Sequence, residues 1–139
     1  MTTTTPTGAD VMAQFIPQSP LVAKLGIVAE VLHGDEVRLR LPWDPSNVTI
    51  GDMVHGGAIA TLADVTVMAA AWAGADVPDS LRGVTTSMSL QYLTPARSTD
   101  LIGVGRALRR GRTLVHCDVD VVTPDGEAVA KAIATYKVG

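Results

Sequence analysis

One cysteine, Cys117, is all the thiol this chain has, so no internal disulfide is open to it. Cys117 lies in an alternating strand pattern and is expected as a small buried apolar residue rather than a nucleophile. Histidine is scarce too: His33, His55 and His116 are scattered, without Cys or Asp at ligand spacing, and no metal site is expected. Positive charge is not in excess, with 11 Lys+Arg against 14 Asp+Glu and a net charge of −3, so the chain lacks the footprint of a nucleic-acid binder. There is no Gly-x-Ser-x-Gly, and Gly103-Val104-Gly105 lacks a third glycine and sits in a strand run. Neither a serine-hydrolase elbow nor a dinucleotide fingerprint is present. Residues 1–8 are Thr-rich and have no basic n-region or apolar h-region, so they are expected to be unstructured, no secretory signal is read there, and the location is expected to be cytoplasmic. The Asn47-Val48-Thr49 glycosylation pattern is then accidental.

What the chain does have is apolar content, 47% of 139 residues, enough for a single domain over 1–139 with its own core. The longest apolar stretch, 57–73, would form a rod of about 25 Å, short for a membrane span. With Asp64 at its centre and no basic cluster or aromatic belt at its flanks, it is expected as a buried helix of a soluble domain, with no membrane partner. Ile59, Leu62, Val65, Ala69 and Trp72 fall at helical spacing and form a core stripe, Thr61, Asp64 and Met68 define another side, and Gly74 and Pro78 supply the stop. Two features of this helix are out of place in plain packing. Glycines at 56 and 57 cost about 1 kcal/mol each relative to alanine inside a helix, and an unpaired buried carboxylate costs more. Both point to chemistry.

Around the helix the chain reads as strands. A first strand is expected over 22–32, followed by a turn at His33-Gly34-Asp35 and a second strand in which Val37, Leu39 and Leu41 alternate with charged residues. After the helix, Val84, Met88, Leu90 and Tyr92 alternate with Thr85, Ser87, Ser89 and Gln91 until Pro95. Three further runs, 101–108, 113–122 and 128–138, are joined by Arg110-Gly111-Arg112 and by a Pro124-Asp125-Gly126 turn. The predicted order is a short N-terminal helix, two strands, one long helix and four strands. Such an order implies an α+β fold in which an antiparallel sheet curves around a single central helix. Arg106, Arg109, Arg110 and Arg112 form a small basic cluster that reads equally as an anion site and as a solvated hairpin tip.

Three motifs carry a family resemblance. His55-Gly56-Gly57 is followed by Leu62-Ala63-Asp64, Gly83-Val84-Thr85 leads to Tyr92-Leu93-Thr94-Pro95-Ala96, and Arg110-Gly111-Arg112-Thr113 forms a basic turn. Over residues 21–138 the chain resembles a hotdog-fold thioesterase of the PaaI-like branch of the 4-hydroxybenzoyl-CoA thioesterase superfamily. The resemblance implies an acyl-CoA thioester substrate, no cofactor, and a homodimer or homotetramer in which one sheet continues across two subunits. It also implies Asp64 as base or nucleophile, the Gly56 N–H as the main oxyanion donor, Thr85 as a residue orienting water or Asp64, and basic residues Arg109, Arg110 and Arg112 near bound CoA. Relatives carry Asn or Gln about six residues before the motif histidine, where this chain has Thr49; Asn47, two residues earlier, is the candidate for that role. His55 holds either the loop or the thioester group, Gly57 leaves room for the carbonyl, and Met68 is a candidate for an adaptable acyl pocket.

Spacing adds one expectation. Eight helical residues span about 12 Å, whereas a base and an oxyanion donor must each reach the same reacting group within roughly 3 Å. Gly56 of one subunit is therefore expected to work with Asp64 of the other, making the dimer a requirement. Two other readings stay open on the same fold: a non-catalytic acyl-CoA-binding protein, and a hydratase or dehydratase. Hydratases usually place a His with an acid on this helix, and no His follows Gly57 within it.

Overall fold

The computed structural model describes residues 5–139. The elements in chain order are α1 (Gly8–Phe15), a 3₁₀ turn (Ile16–Gln18), α2 (Pro20–Leu25), β1 (Val28–Leu32), β2 (Val37–Leu41), β3 (Val48–Ile50), β4 (Met53–Val54), α3 (Gly56–Ala73), β5 (Gly83–Tyr92), β6 (Leu101–Arg110), β7 (Leu114–Val122) and β8 (Ala128–Val138). Six strands form one antiparallel sheet in the order β1-β2-β6-β7-β8-β5, and β3 and β4 form a separate hairpin. This is the α+β hotdog architecture, a long central helix packed against an antiparallel sheet.

Strand alternation explains how the sheet presents one apolar face. Val37, Leu39 and Leu41 of β2 and Val115, Cys117, Val119 and Val121 of β7 are buried, while Arg38, Arg40, Asp118 and Asp120 alternate with them. On the outer face these charges pair, Arg106 with Glu36 and Asp120, and Lys131 with Asp118 and Asp120. Helix α3 lies on the apolar face, and Gly103 and Gly105 of β6 let it come close. A Cβ at Gly105 would stand 2.8 Å from Thr66 Cγ2, and one at Gly103 would collide with the Thr66 hydroxyl. By length and composition α3 is apolar enough to cross a bilayer, but 61% of that window is buried inside the fold. The reason is that α3 is covered from more than one direction: Leu62, Thr66 and Ala70 meet the glycines of β6, and α1 packs on α3 with Gly8 at the Trp72 carbonyl, so Ala63, Thr66 and Val67 are buried together with Ile59, Leu62, Ala69 and Trp72 of the predicted stripe. Val65 of that stripe is only half-buried, because it faces a cavity.

Four expectations need correction. The strand over 22–32 begins only at Val28, because Pro20 opens a short helix and Gly26, at φ +73°, closes it with its N–H on the Val22 and Ala23 carbonyls. The unstructured start over 1–8 lies outside the described residues for 1–4. At its other end, Thr7 and Asp10 form a reciprocal capping box, 3.1 and 2.8 Å, that starts α1 at Gly8. The β3–β4 hairpin was not anticipated; it is only two to three residues a side and turns at Gly51, φ +60°. Finally, β5 does not alternate throughout. A bulge between Thr85 and Ser87 shifts the register against β8, so Thr85 shares the inner face with Met88 and Leu90, and Val84 is exposed.

Candidate active site

The N-terminus of α3 is held from three directions. Val54 N–H donates to the Ala96 carbonyl at 2.8 Å, and His55 N–H donates to the Asn47 carbonyl at 2.9 Å. His55 is the N-cap, its Nδ1 accepting from Gly57 N–H at 2.7 Å, which places the proton of the neutral ring on Nε2. Tyr92, at the end of β5, donates its hydroxyl to the Gly56 carbonyl at 2.9 Å. The Gly56 N–H, first of the helix, has no acceptor among the described residues and carries the positive end of the helix dipole.

Two turns along α3, Asp64 is exposed and its Oδ1 accepts from Thr85 Oγ1 at 2.7 Å. Thr61, one turn before it on the same helix, donates instead to the Gly57 carbonyl at 2.8 Å. The two groups of interest open into different cavities. Asp64, Thr61, Met68 and Thr85 line one of 670 Å³, whereas Gly56 lines another of 320 Å³ with Ile59, Tyr92 and Pro95. The structure thus brings together Asp64 and Thr85, and separately His55, Gly56, Gly57 and the Asn47 backbone.

The arginines lie toward the opposite end of α3, where Arg110 reaches Ala70 and Ala71, about 22 Å from Gly56 along the helix. Arg110 is committed there: Nη1 and Nη2 donate to the Ala71 and Ala70 carbonyls at 2.7 and 3.0 Å, capping the last turn. Arg109 and Arg112 are exposed and have no ion-pair partner among the described residues. Cys117 is buried, and that burial pushes its thiol up to about 11, the wrong direction for a nucleophile. No group of three or more His, Cys, Asp or Glu is disposed to hold a metal among the described residues.

Sequence reading missed Tyr92 as the residue over Gly56, and it missed the buried Trp72–Tyr136 pair behind Asp64. Tyr92 ends an alternating run, which marks it as a strand residue and carries no trace of its reach to α3.

Comparison with known proteins agrees with this architecture. A family model described as the thioesterase superfamily matches residues 51–130, from the β3–β4 turn into β8. A Halobacterium salinarum protein, provisionally named an esterase, is 31% identical over 126 residues, covering 88% of this chain and 83% of its own. A thioesterase family protein of Silicibacter pomeroyi superposes with a TM-score of 0.85 at 23% identity, covering 95% of this chain and 99% of that one. A hypothetical thioesterase of Streptococcus pneumoniae TIGR4, solved with coenzyme A, superposes with a TM-score of 0.69 at 24% identity over 94% of each chain. The chain belongs to the thioesterase superfamily.

Proposed function

We propose that the protein is an acyl-CoA thioesterase of the PaaI-like branch, hydrolysing its substrate to free acid and CoA in a site completed by a second copy of the chain. The observation that carries this reading is the exposed Asp64 carboxylate, held by Thr85 at 2.7 Å on the rim of a cavity large enough for an acyl group. Within one chain Gly56 opens into a different cavity, which favours a partner's Gly56 as the donor that meets Asp64. The outer edge of β5 supports such pairing: ten residues long, it has no neighbour in the sheet, and Val84, Tyr92 and the adjacent Leu93 are more than half exposed. The coenzyme A in the Streptococcus pneumoniae relative supports the CoA half of the substrate.

In this reading the thioester oxygen accepts from the Gly56 N–H of the other subunit, which stabilises the charge that develops on it. Asp64 takes a proton from water, whose oxygen bonds to the carbonyl carbon; the tetrahedral intermediate collapses, the C–S bond breaks, and the proton goes to the CoA thiolate. In the covalent variant the Asp64 oxygen itself attacks, CoA leaves, and water opens the resulting anhydride. Thr85 fixes the carboxylate in either case. His55 shapes the helix start, and Arg109 and Arg112 are the proposed contacts for the CoA phosphates. The test is thiol release from aromatic, short, medium and long acyl-CoAs by wild type and Asp64→Asn. Turnover lost in a folded variant is expected; a wild type inert toward the whole panel favours the binding-protein reading instead.

A further inference from the structure

A third cavity, besides those at Asp64 and Gly56, lies behind Asp64. It measures 290 Å³, sits under α1, and is lined by Val11, Met12, Phe15, Trp72 and Leu81, with Gln14 and Gln18 as its polar members. Phe15, Met68, Gly83 and Tyr136 line both this chamber and the 670 Å³ cavity at Asp64, so they mark the passage between them. Tyr136 stands there with an unused donor. Its side chain is 4% exposed, and its oxygen accepts from Trp72 Nε1 at 3.0 Å, yet its own O–H has no acceptor among the described residues. Buried phenols ordinarily use both capacities.

The position of this hydroxyl is specified. Trp72 holds the oxygen from α3, and Gly83 makes room for it on β5, where a Cβ would stand 2.5 Å from it. Tyr136 also faces Thr85 directly across the β5–β8 ladder, on the face that holds Asp64. Burial, opposed by the Trp72 bond and reinforced by the Asp64 charge, raises the phenol above its ordinary range. It therefore stays protonated, and remains a donor, at neutral pH.

We propose that Tyr136 is a specificity-determining residue that donates to a mid-chain oxygen of an aliphatic acyl group, whose tail occupies the chamber under α1. This rests on the acyl-CoA reading of the same site. The dimensions set the class. Met68 and Tyr136 mark the same passage, so the passage lies about one helical turn, or about 6 Å, beyond Asp64, and the chamber reaches the level of Trp72 at about 12 Å. An extended chain advances about 1.2 Å per bond, which places the oxygen near the fifth carbon of a chain of roughly ten. A mostly apolar chamber continuing past Tyr136 favours such a chain over a short hydroxyaryl group, which would end at the tyrosine.

The experiment compares 5-hydroxydecanoyl-CoA with decanoyl-CoA for turnover, and the corresponding thioethers, 5-hydroxydecyl-CoA and decyl-CoA, for binding by calorimetry. Wild type is expected to favour the hydroxylated member by about tenfold in both. Tyr136→Phe is expected to bring both ratios to about one. Gly83→Ala, which displaces the phenol oxygen without removing it, is expected to lower them as well, and it decides the matter if Tyr136→Phe does not fold. A wild-type binding ratio near one, or a preference kept by the variants, overturns the proposal. Preferential binding of the hydroxylated thioether without turnover of either thioester upholds it while removing the hydrolase reading.

Discussion

Thr85 donates its hydroxyl to Asp64 across 2.7 Å from a strand position that simple alternation assigns to the opposite face of the sheet. The bulge after Thr85 is what turns it inward. The bulge sits on β5, an edge strand, beside the carboxylate that Thr85 meets, a usual place for such a device.

That bond predicts a graded mutational series. Asp64→Asn removes the group itself and is expected to lower kcat by about 10²- to 10⁴-fold. Thr85→Ala leaves the carboxylate in place but free to rotate, so kcat should fall about tenfold with KM little changed, and Thr85→Ser should restore it. Steady-state kinetics on the best acyl-CoA of the panel separates the cases. An unaffected Thr85→Ala would show that the hydroxyl only satisfies the strand.

Much of this was legible in the sequence, for identifiable reasons. The α3 run from 57 to 73 is legible because burial on more than one side leaves a nearly unbroken apolar stretch, and Val37, Leu39 and Leu41 because burial on one face imposes a strict period of two. Residues 22–25 of the short helix Pro20–Leu25 fall within the strand expected over 22–32 because six residues cover less than two turns, too few for a helical period to outweigh the β-prone composition around Val28. The Thr85 bulge left no mark because one extra residue changes register without changing composition. Tyr92 on the Gly56 carbonyl and Trp72 on Tyr136 join residues 36 and 64 positions apart, which no local pattern encodes.

The basic cluster divides by role. Arg110 gives two charge-assisted bonds to the last-turn carbonyls of α3, so Arg110→Ala should cost about 1–3 kcal/mol of stability. Arg109→Ala and Arg112→Ala should leave Tm unchanged and raise KM for acyl-CoA, more at low than at high salt. Thermal melts beside kinetics at two ionic strengths test this. A rise in KM confined to Arg110→Ala would return the anion site to that residue.

Cys117 gives a pH signature. Burial holds its thiol at about 11 against an ordinary 9.0, so between those values the unfolded chain loses a proton that the folded chain keeps. Stability is therefore complete below pH 9 and declines as pH rises toward 11, with a slope of up to about 1.4 kcal/mol per pH unit from this one group. Cys117→Ala should lower stability at neutral pH by leaving a small void and flatten that slope. Urea melts from pH 7 to 10.5 on both proteins measure it; equal slopes would mean that the thiol ionises freely in the fold.

The proposed two-subunit site is open to complementation because each half can be disabled without disturbing the other. Asp64→Asn removes the acid, and Gly56→Pro removes the N–H. Proline suits the first helical position, where no intrahelical acceptor is lost. His55 already has the extended backbone that a following proline requires, φ −63° and ψ 133°, and a side chain at Gly56 would meet Tyr92 only at ordinary contact, 3.5 Å. Each variant alone should be depressed by about 10²-fold or more. Unfolded together and refolded as a mixture, half the dimers would be mixed, and each mixed dimer would hold one site with an intact Gly56 from one chain and an intact Asp64 from the other. About a quarter of wild-type activity should then return. A site contained within one chain would return none, since every chain in the mixture carries one defect.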